Sequence, residues 1–131
     1  MDMTLEENKL AEVIYDCCFL IHSMLGPGLF ESVYERILVF ELRKRGLTVG
    51  LQVEMPVVWQ GHEIENAFKA DIIVNGLVIV ELKSVDVIAP IHLKQLQTYL
   101  KVSGMRLGIV ANFGAERMKK GLVRVVNGLP D

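Results

Sequence analysis

The sequence predicts an α/β fold in which a mixed β-sheet is flanked by helices, with the core order α-α-β-β-β-α-β. Three observations lead there. Apolar residues recur at helical spacing from Leu10 through Phe40, and from Thr48 the period changes to two. Two apolar runs then flank Asn75-Gly76, a hairpin signal, and a proline-led helical segment returns the chain to a further apolar strand. One sheet covered by helices accommodates that order.

Thr4 and Glu7 have capping-box spacing. Leu10, Val13, Ile14, Cys17, Leu20, Ile21 and Met24 continue as the stripe of a first helix, which "GPG" at Gly26–Gly28 ends. A second helix is expected from near Phe30 to Arg45, with Val33, Ile37 and Phe40 inward; Arg43, Lys44 and Arg45 favour its C-terminus and Gly46 caps it. Val49, Leu51, Val53 and Met55 alternate with Gly50, Gln52 and Glu54 as a strand. Pro56 marks an edge, a bulge or the end of that pairing, and Gln60-Gly61 reads as a turn. "FKADIIV" and "LVIVELK" are the hairpin arms. Pro90 opens a helix to about Val102, closed by Gly104; "MRLGIVANF" and "LVRVV" complete the strands.

The 131 residues suit a single domain, 1–131. A domain of this size buries about two-thirds of its unfolded surface, so neither disulfide nor metal is needed for folding. The net charge of −2 leaves no global cationic face, so nucleic-acid binding would need a local patch. Adjacent Cys17 and Cys18 rarely bridge, and buried thiols fit a reducing compartment. "MDMTLEENK" is acidic where a secretory signal would be basic and then apolar, and "DIIVNGLVIVEL" is too short and interrupted to span a bilayer. A cytoplasmic protein with no membrane partner is expected.

The chemistry concentrates in "VIVELKSVD", an apolar strand that ends on Glu81 and Lys83. Alone, Glu-x-Lys is a common, solvated strand tip. Period two puts both charges on one face with Leu82 opposite. Asp71, on the preceding arm, joins that face only if the hairpin register allows it. A two-residue loop would pair Asp71 with Val80; a three-residue loop or a bulge restores the match. Glu31 and Tyr34 share a face at the head of the second helix, and Gln95 and Tyr99 share one on the later helix. Each pair alone passes for an ordinary helix surface.

The order Glu, Asp, Glu-x-Lys, Gln-x-x-x-Tyr resembles the PD-(D/E)XK nuclease superfamily in its RecB-like style. "GPGLFESVYE" carries Gly28, Glu31 and Tyr34 at the spacing that names the GxxExxY protein family, and "ELRKRGL", "DIIV", "VIVELK", "QLQTYL" and "GIVANFG" are similar to that family too. The likeness runs from about Asp16 to Val126; Ala70 stands where the superfamily has its proline. It implies a restriction-endonuclease-like fold and metal-assisted phosphodiester hydrolysis. It implies Mg²⁺ or Mn²⁺ held by Asp71, Glu81 and the Leu82 carbonyl, with Glu31 binding directly or through water. Lys83 would position or activate the attacking water, and Gln95 and Tyr99 would orient Lys83 and the phosphate. Catalytic roles thus fall on Glu31, Asp71, Glu81, Lys83, Gln95 and Tyr99, and substrate contacts on Tyr34, Lys69 and Lys94. The partner is nucleic acid, DNA ahead of RNA, and two copies pairing is the expectation by analogy.

Lys101, Arg106, Arg117, Lys119 and Lys120 are further cationic candidates. His22, His62 and His92 lack metal-ligand spacing, and Trp59 reads as a packing residue. Two other readings compete: a nuclease-fold module that binds nucleic acid or a protein partner without cleaving, and a domain whose charges form only structural ion pairs.

Overall fold

A computed structural model describes residues 5–130. Its elements follow the chain as α1 (Glu6–Leu25), α2 (Glu31–Lys44), β1 (Val49–Trp59), β2 (His62–Val74), β3 (Val78–Lys83), α3 (Pro90–Ser103), β4 (Leu107–Asn112), a short α4 (Met118–Gly121) and β5 (Leu122–Val126). The five strands form one sheet in the order β1-β2-β3-β4-β5. β3 and β4 are parallel, joined through α3, and the other neighbours are antiparallel. This mixed sheet with flanking helices is a restriction-endonuclease-like α/β fold; the sequence expectation lacked only α4.

Helices α1 and α2 cover one face. Leu10, Ile14, Cys17 and Ile21 of α1 pack with Tyr34, Leu38 and Leu42 of α2 over Ile72, Val74, Val78, Val80, Leu82 and Ile109 of the sheet. Helix α3 covers the other face, where Leu96 and Leu100 meet Phe68, Ala70, Ile79 and Val110. Both faces of β3 and β4 are therefore buried, which is why those strands read as continuous apolar runs. Cys17 and Cys18 are buried and unbridged. Among the described residues, no helix is long and apolar enough to cross a membrane.

Several expectations are corrected. Thr4 lies outside the described residues, and Leu5 stands at the N-cap of α1 with no side-chain cap. Glu7 instead takes both Nε and Nη2 of Arg106, at 2.7 and 3.0 Å, which removes Arg106 from the candidate substrate cations. Leu20 and Met24 are exposed. The inner face of α2 is Tyr34, Leu38 and Leu42, while Val33 and Phe40 face solvent. Apolarity alone chose the wrong stripe because the deepest residue is a tyrosine whose hydroxyl finds partners inside. Trp59 is 64% exposed at the tip of the β1–β2 ribbon, not packed.

The alternation expected along β1 breaks. Val49 joins the core under α1 and α2, whereas Val53, Met55 and Val57 pack on the α3 side and Leu51 is exposed. The break falls at Gln52, a non-glycine residue at φ +51. β2 shows the matching change: Phe68 and Ala70 pack on the α3 side, Ile72 and Val74 on the other, with Asp71 between. A second irregularity falls between Met55 and Val57, where Pro56 was expected to mark a bulge or an edge; β1 is the sheet's edge strand.

Candidate active site

Everything at the site follows from one loop. β2 and β3 pair as Val74 with Val78, Ile73 with Ile79 and Ile72 with Val80, so the hairpin loop is Asn75, Gly76 and Leu77. The loop has three residues, the length the sequence required for Asp71 and Glu81 to share a face. Continued by one step, this register sets Asp71 opposite Glu81. The Asp71 amide donates to Glu81 Oε1 at 3.5 Å, and the Leu82 amide donates to Asp71 Oδ2 at 2.9 Å.

Glu81 is 7% exposed. Burial first, and the Asp71 carboxylate second, push its carboxyl up to about 9, with Lys83 opposing weakly. Two carboxyls held this close at the end of an apolar strand need either a shared proton or a cation. Tyr99 lies near enough to both that burial and the charges of Glu81 and Asp71 raise its hydroxyl above the ordinary phenol range. Its ring stacks on Phe68 at 4.2 Å between centroids. Gln95, one turn earlier on α3, is exposed, as is Lys94.

Glu31 opens α2, and its Oε1 accepts from the Ser84 amide at 3.3 Å, just beyond Lys83. Ser84 Oγ donates to the Leu29 carbonyl at 2.8 Å, so the strand tip is tied to the segment before α2. Among the described residues, no three His, Cys, Asp or Glu side chains form a group able to hold a metal ion. Of the two expectations for Glu31, direct or through water, the turn of its carboxylate to the Ser84 amide favours the one through water. An open groove of about 870 Å³ lies beside it, lined by Gly28, Phe30, Glu31, Ser84 and Asp86 among others. The groove touches the site through Glu31 and Ser84; Asp71 and Glu81 lie outside its lining.

Tyr34 is also corrected. It is fully buried, donates its hydroxyl to the Gly26 carbonyl at 2.6 Å and accepts the Leu29 amide at 3.1 Å. Its ring stacks on Phe113 at 4.6 Å. No part of it reaches a substrate; it braces the "GPG" turn that delivers Glu31. Lys69 is engaged too, paired with Glu54 at 3.4 Å, and by alternation points away from Phe68 and the α3 side. His22 Nε2 donates to the Ala115 carbonyl at 2.8 Å, which fixes the tautomer because a carbonyl only accepts. His92 Nδ1 accepts the Ala89 amide at the start of α3. Both are structural.

Three neighbours escaped the sequence reading. Glu35, one turn after Glu31, is buried; its carboxyl is raised by burial and then by Asp71. Gln52 Nε2 donates to Glu35 Oε2 at 2.8 Å and to Asp71 Oδ1 at 3.3 Å. Its positive φ carries strain of about 1–3 kcal/mol for a non-glycine residue. Asn112, 1% exposed, accepts the Val85 and Gly114 amides at 3.0 Å each and donates to the Val85 carbonyl at 2.9 Å. It clamps the turn after Lys83, and a Cβ on Gly114 would lie 2.4 Å from the Val85 carbonyl oxygen. Glu31 and Glu35 at i and i+4 were visible as a pair of acids on one helix face; a buried Asn ending an apolar strand was a weaker sign. Nothing in the sequence marked Gln52.

The donor set suits a hard divalent cation. Asp71 and Glu81 offer only oxygens, each ionised carboxylate has about four lone-pair sites, and the hydrogen bonds from Leu82 and Gln52 leave lone pairs on Asp71 free. The model of the PD-(D/E)XK nuclease superfamily matches residues 8–125 of the chain. Neither a curated protein nor a solved structure gives a significant match.

Proposed function

Because the chain belongs to the PD-(D/E)XK nuclease superfamily, we propose that it hydrolyses phosphodiester bonds in nucleic acid, DNA ahead of RNA, with Mg²⁺ or Mn²⁺ at Asp71 and Glu81. Residues 1–131 form one nuclease-like domain in this reading, and Gly28, Glu31 and Tyr34 support membership of the GxxExxY family within the superfamily. The observation that carries the proposal is the meeting of Asp71 and Glu81 across the hairpin, with Lys83 two residues on.

Asp71, Glu81 and the Leu82 carbonyl would hold the cation through oxygen, the donor that hard divalent ions take. When bound, the cation supplies Lewis-acid stabilisation of charge on the phosphate. Lys83 holds the attacking water by a hydrogen bond and offsets negative charge that grows on the phosphoryl oxygens. Glu31 takes part through water. Tyr99, its hydroxyl raised by burial and then by the charges of Glu81 and Asp71, donates a hydrogen bond toward the phosphate or accepts one from Lys83, with Gln95 beside it. Lys94 serves as a contact to the nucleic-acid backbone. Two unbridged buried cysteines support a reducing, cytoplasmic setting. A pairing of two copies, which light scattering reads directly, would bring two sites to two strands.

The test is incubation with single- and double-stranded DNA and RNA in Mg²⁺ or Mn²⁺, beside Asp71→Ala and Lys83→Ala. Cleavage by the wild type, lost in both variants and in chelator, supports the proposal; cleavage that persists in both points to a contaminant. A second reading is a module that binds without cleaving. Retention of nucleic acid without cleavage would establish it.

A further inference from the structure

We infer that Gln52 is a positioning residue: its side-chain amide, anchored on Glu35, holds the Asp71 carboxylate in one orientation. The inference deepens the nuclease reading and rests on it for what that orientation serves.

Four non-glycine residues among those described have positive φ: Gln52, Gln60, Asn66 and Asn75. Gln60 and Asn75 sit in hairpin loops and Asn66 in the β1–β2 irregularity, where such conformations are ordinary. Gln52 sits inside continuous pairing, with Leu51 opposite Ile72 and Val53 opposite Ala70 on either side. Glutamine has no special tolerance for that region; Asn, Asp and His do. The conformation needs a compensating interaction, and the amide provides it.

An ionised carboxylate can only accept, and a primary amide has two N–H donors on one nitrogen. Gln52 Nε2 meets one oxygen of each of two carboxylates, Glu35 Oε2 and Asp71 Oδ1. Glu35 is a fixed anchor, because it is buried on a helix whose next-door Tyr34 is wholly enclosed. The other oxygen of Asp71 is held from the opposite side by the Leu82 amide. Asp71 is thus gripped at both oxygens, from β1 through a side chain and from β3 through the backbone. With both grips in place its unused lone pairs keep a constant direction. Second neighbours of this kind that orient a ligand typically change metal affinity or activity by about 10- to 100-fold when removed.

The test uses the whole chain and Gln52→Gly, which keeps the positive φ without strain and deletes the amide. Gln52→Asn, at ease with the same φ but too short to span both carboxylates, serves if the glycine variant does not fold. Two quantities are read: Mn²⁺ affinity by electron paramagnetic resonance, and the Asp71 χ1 rotamer population from NMR couplings. Expected are Mn²⁺ binding weakened about 10- to 100-fold, averaging of Asp71 among rotamers, and a melting temperature equal to or above the wild type. Glu35→Gln, which still offers an acceptor to Gln52, keeps Mn²⁺ affinity within a few-fold. Unchanged Mn²⁺ affinity in Gln52→Gly, or a single Asp71 rotamer there, overturns the inference. If the wild type itself binds no Mn²⁺, the nuclease reading falls and the rotamer measurement decides alone: averaging upholds the clamp, a single rotamer rejects it.

Discussion

Asp71 and Glu81 face each other across a hairpin whose three-residue loop sets them in register, and the Asp71 backbone amide reaches the Glu81 carboxyl at 3.5 Å. Carboxyls perturbed in this way by burial and by each other cluster at functional sites. Glu81→Gln keeps the shape and removes the carboxyl that must hold a proton or a cation beside Asp71. In metal-free buffer at pH 8 this variant is expected to melt at a higher temperature than the wild type. Added Mg²⁺ should stabilise the wild type by mass action and leave the variant unmoved. A lower melting point for Glu81→Gln in chelator would show that the pair is a structural one.

The same pair gives a pH dependence with a definite sign. Burial and Asp71 raise Glu81 from the ordinary 4.5 to about 9, so the folded protein holds this proton more tightly than the unfolded chain. The resulting stability is fully present below pH 4.5, declines as pH rises, and is gone above about 9. Urea unfolding without divalent ions should therefore show stability falling from pH 5 to pH 9, a slope that Glu81→Gln flattens. Mg²⁺ should also flatten it, because a cation takes the place of the proton. A metal-free profile that rises over that range contradicts the shared-proton account.

How much of this was legible follows from where each signal lived. Asp71, Glu81 and Lys83 were readable because strand parity is rigid, and parity turned the question into one of loop length, which came out at three residues. Tyr34 was misread because spacing cannot tell a tyrosine on a helix face from one whose hydroxyl is satisfied within the fold. Glu31 was located with its role left open between direct and water-mediated, since nothing local announces that the Ser84 amide captures it. Gln52 was hidden altogether: its position depends on a backbone reversal in β1 that period-two counting assumes away.

Lys83 should separate binding from turnover. It lowers the Glu81 carboxyl only weakly, behind burial and Asp71, so it is not what holds the acidic pair together. Lys83→Met keeps the stem and deletes the charge. Its Mn²⁺ affinity should stay close to the wild type while cleavage falls about 10²–10³-fold, the usual loss when one charge-stabilising donor leaves a site of this kind. Equal loss of metal binding and cleavage would assign Lys83 to assembly of the site instead of to the reaction.

Tyr34→Phe tests whether the brace behind Glu31 matters to the chemistry. The substitution keeps the stack on Phe113 and removes only the hydroxyl, leaving the Gly26 carbonyl and the Leu29 amide without their partner. A part-buried donor and acceptor left unpaired cost about 1–3 kcal/mol, which chemical denaturation should read as a lower midpoint with an unchanged slope. The "GPG" turn carries Leu29, whose carbonyl holds Ser84, and Ser84 in turn holds Glu31. Loosening that turn should therefore lower cleavage by more than the fraction unfolded explains, with Mn²⁺ affinity at Asp71 and Glu81 preserved. Full specific activity in the folded fraction would show that Glu31 needs no brace.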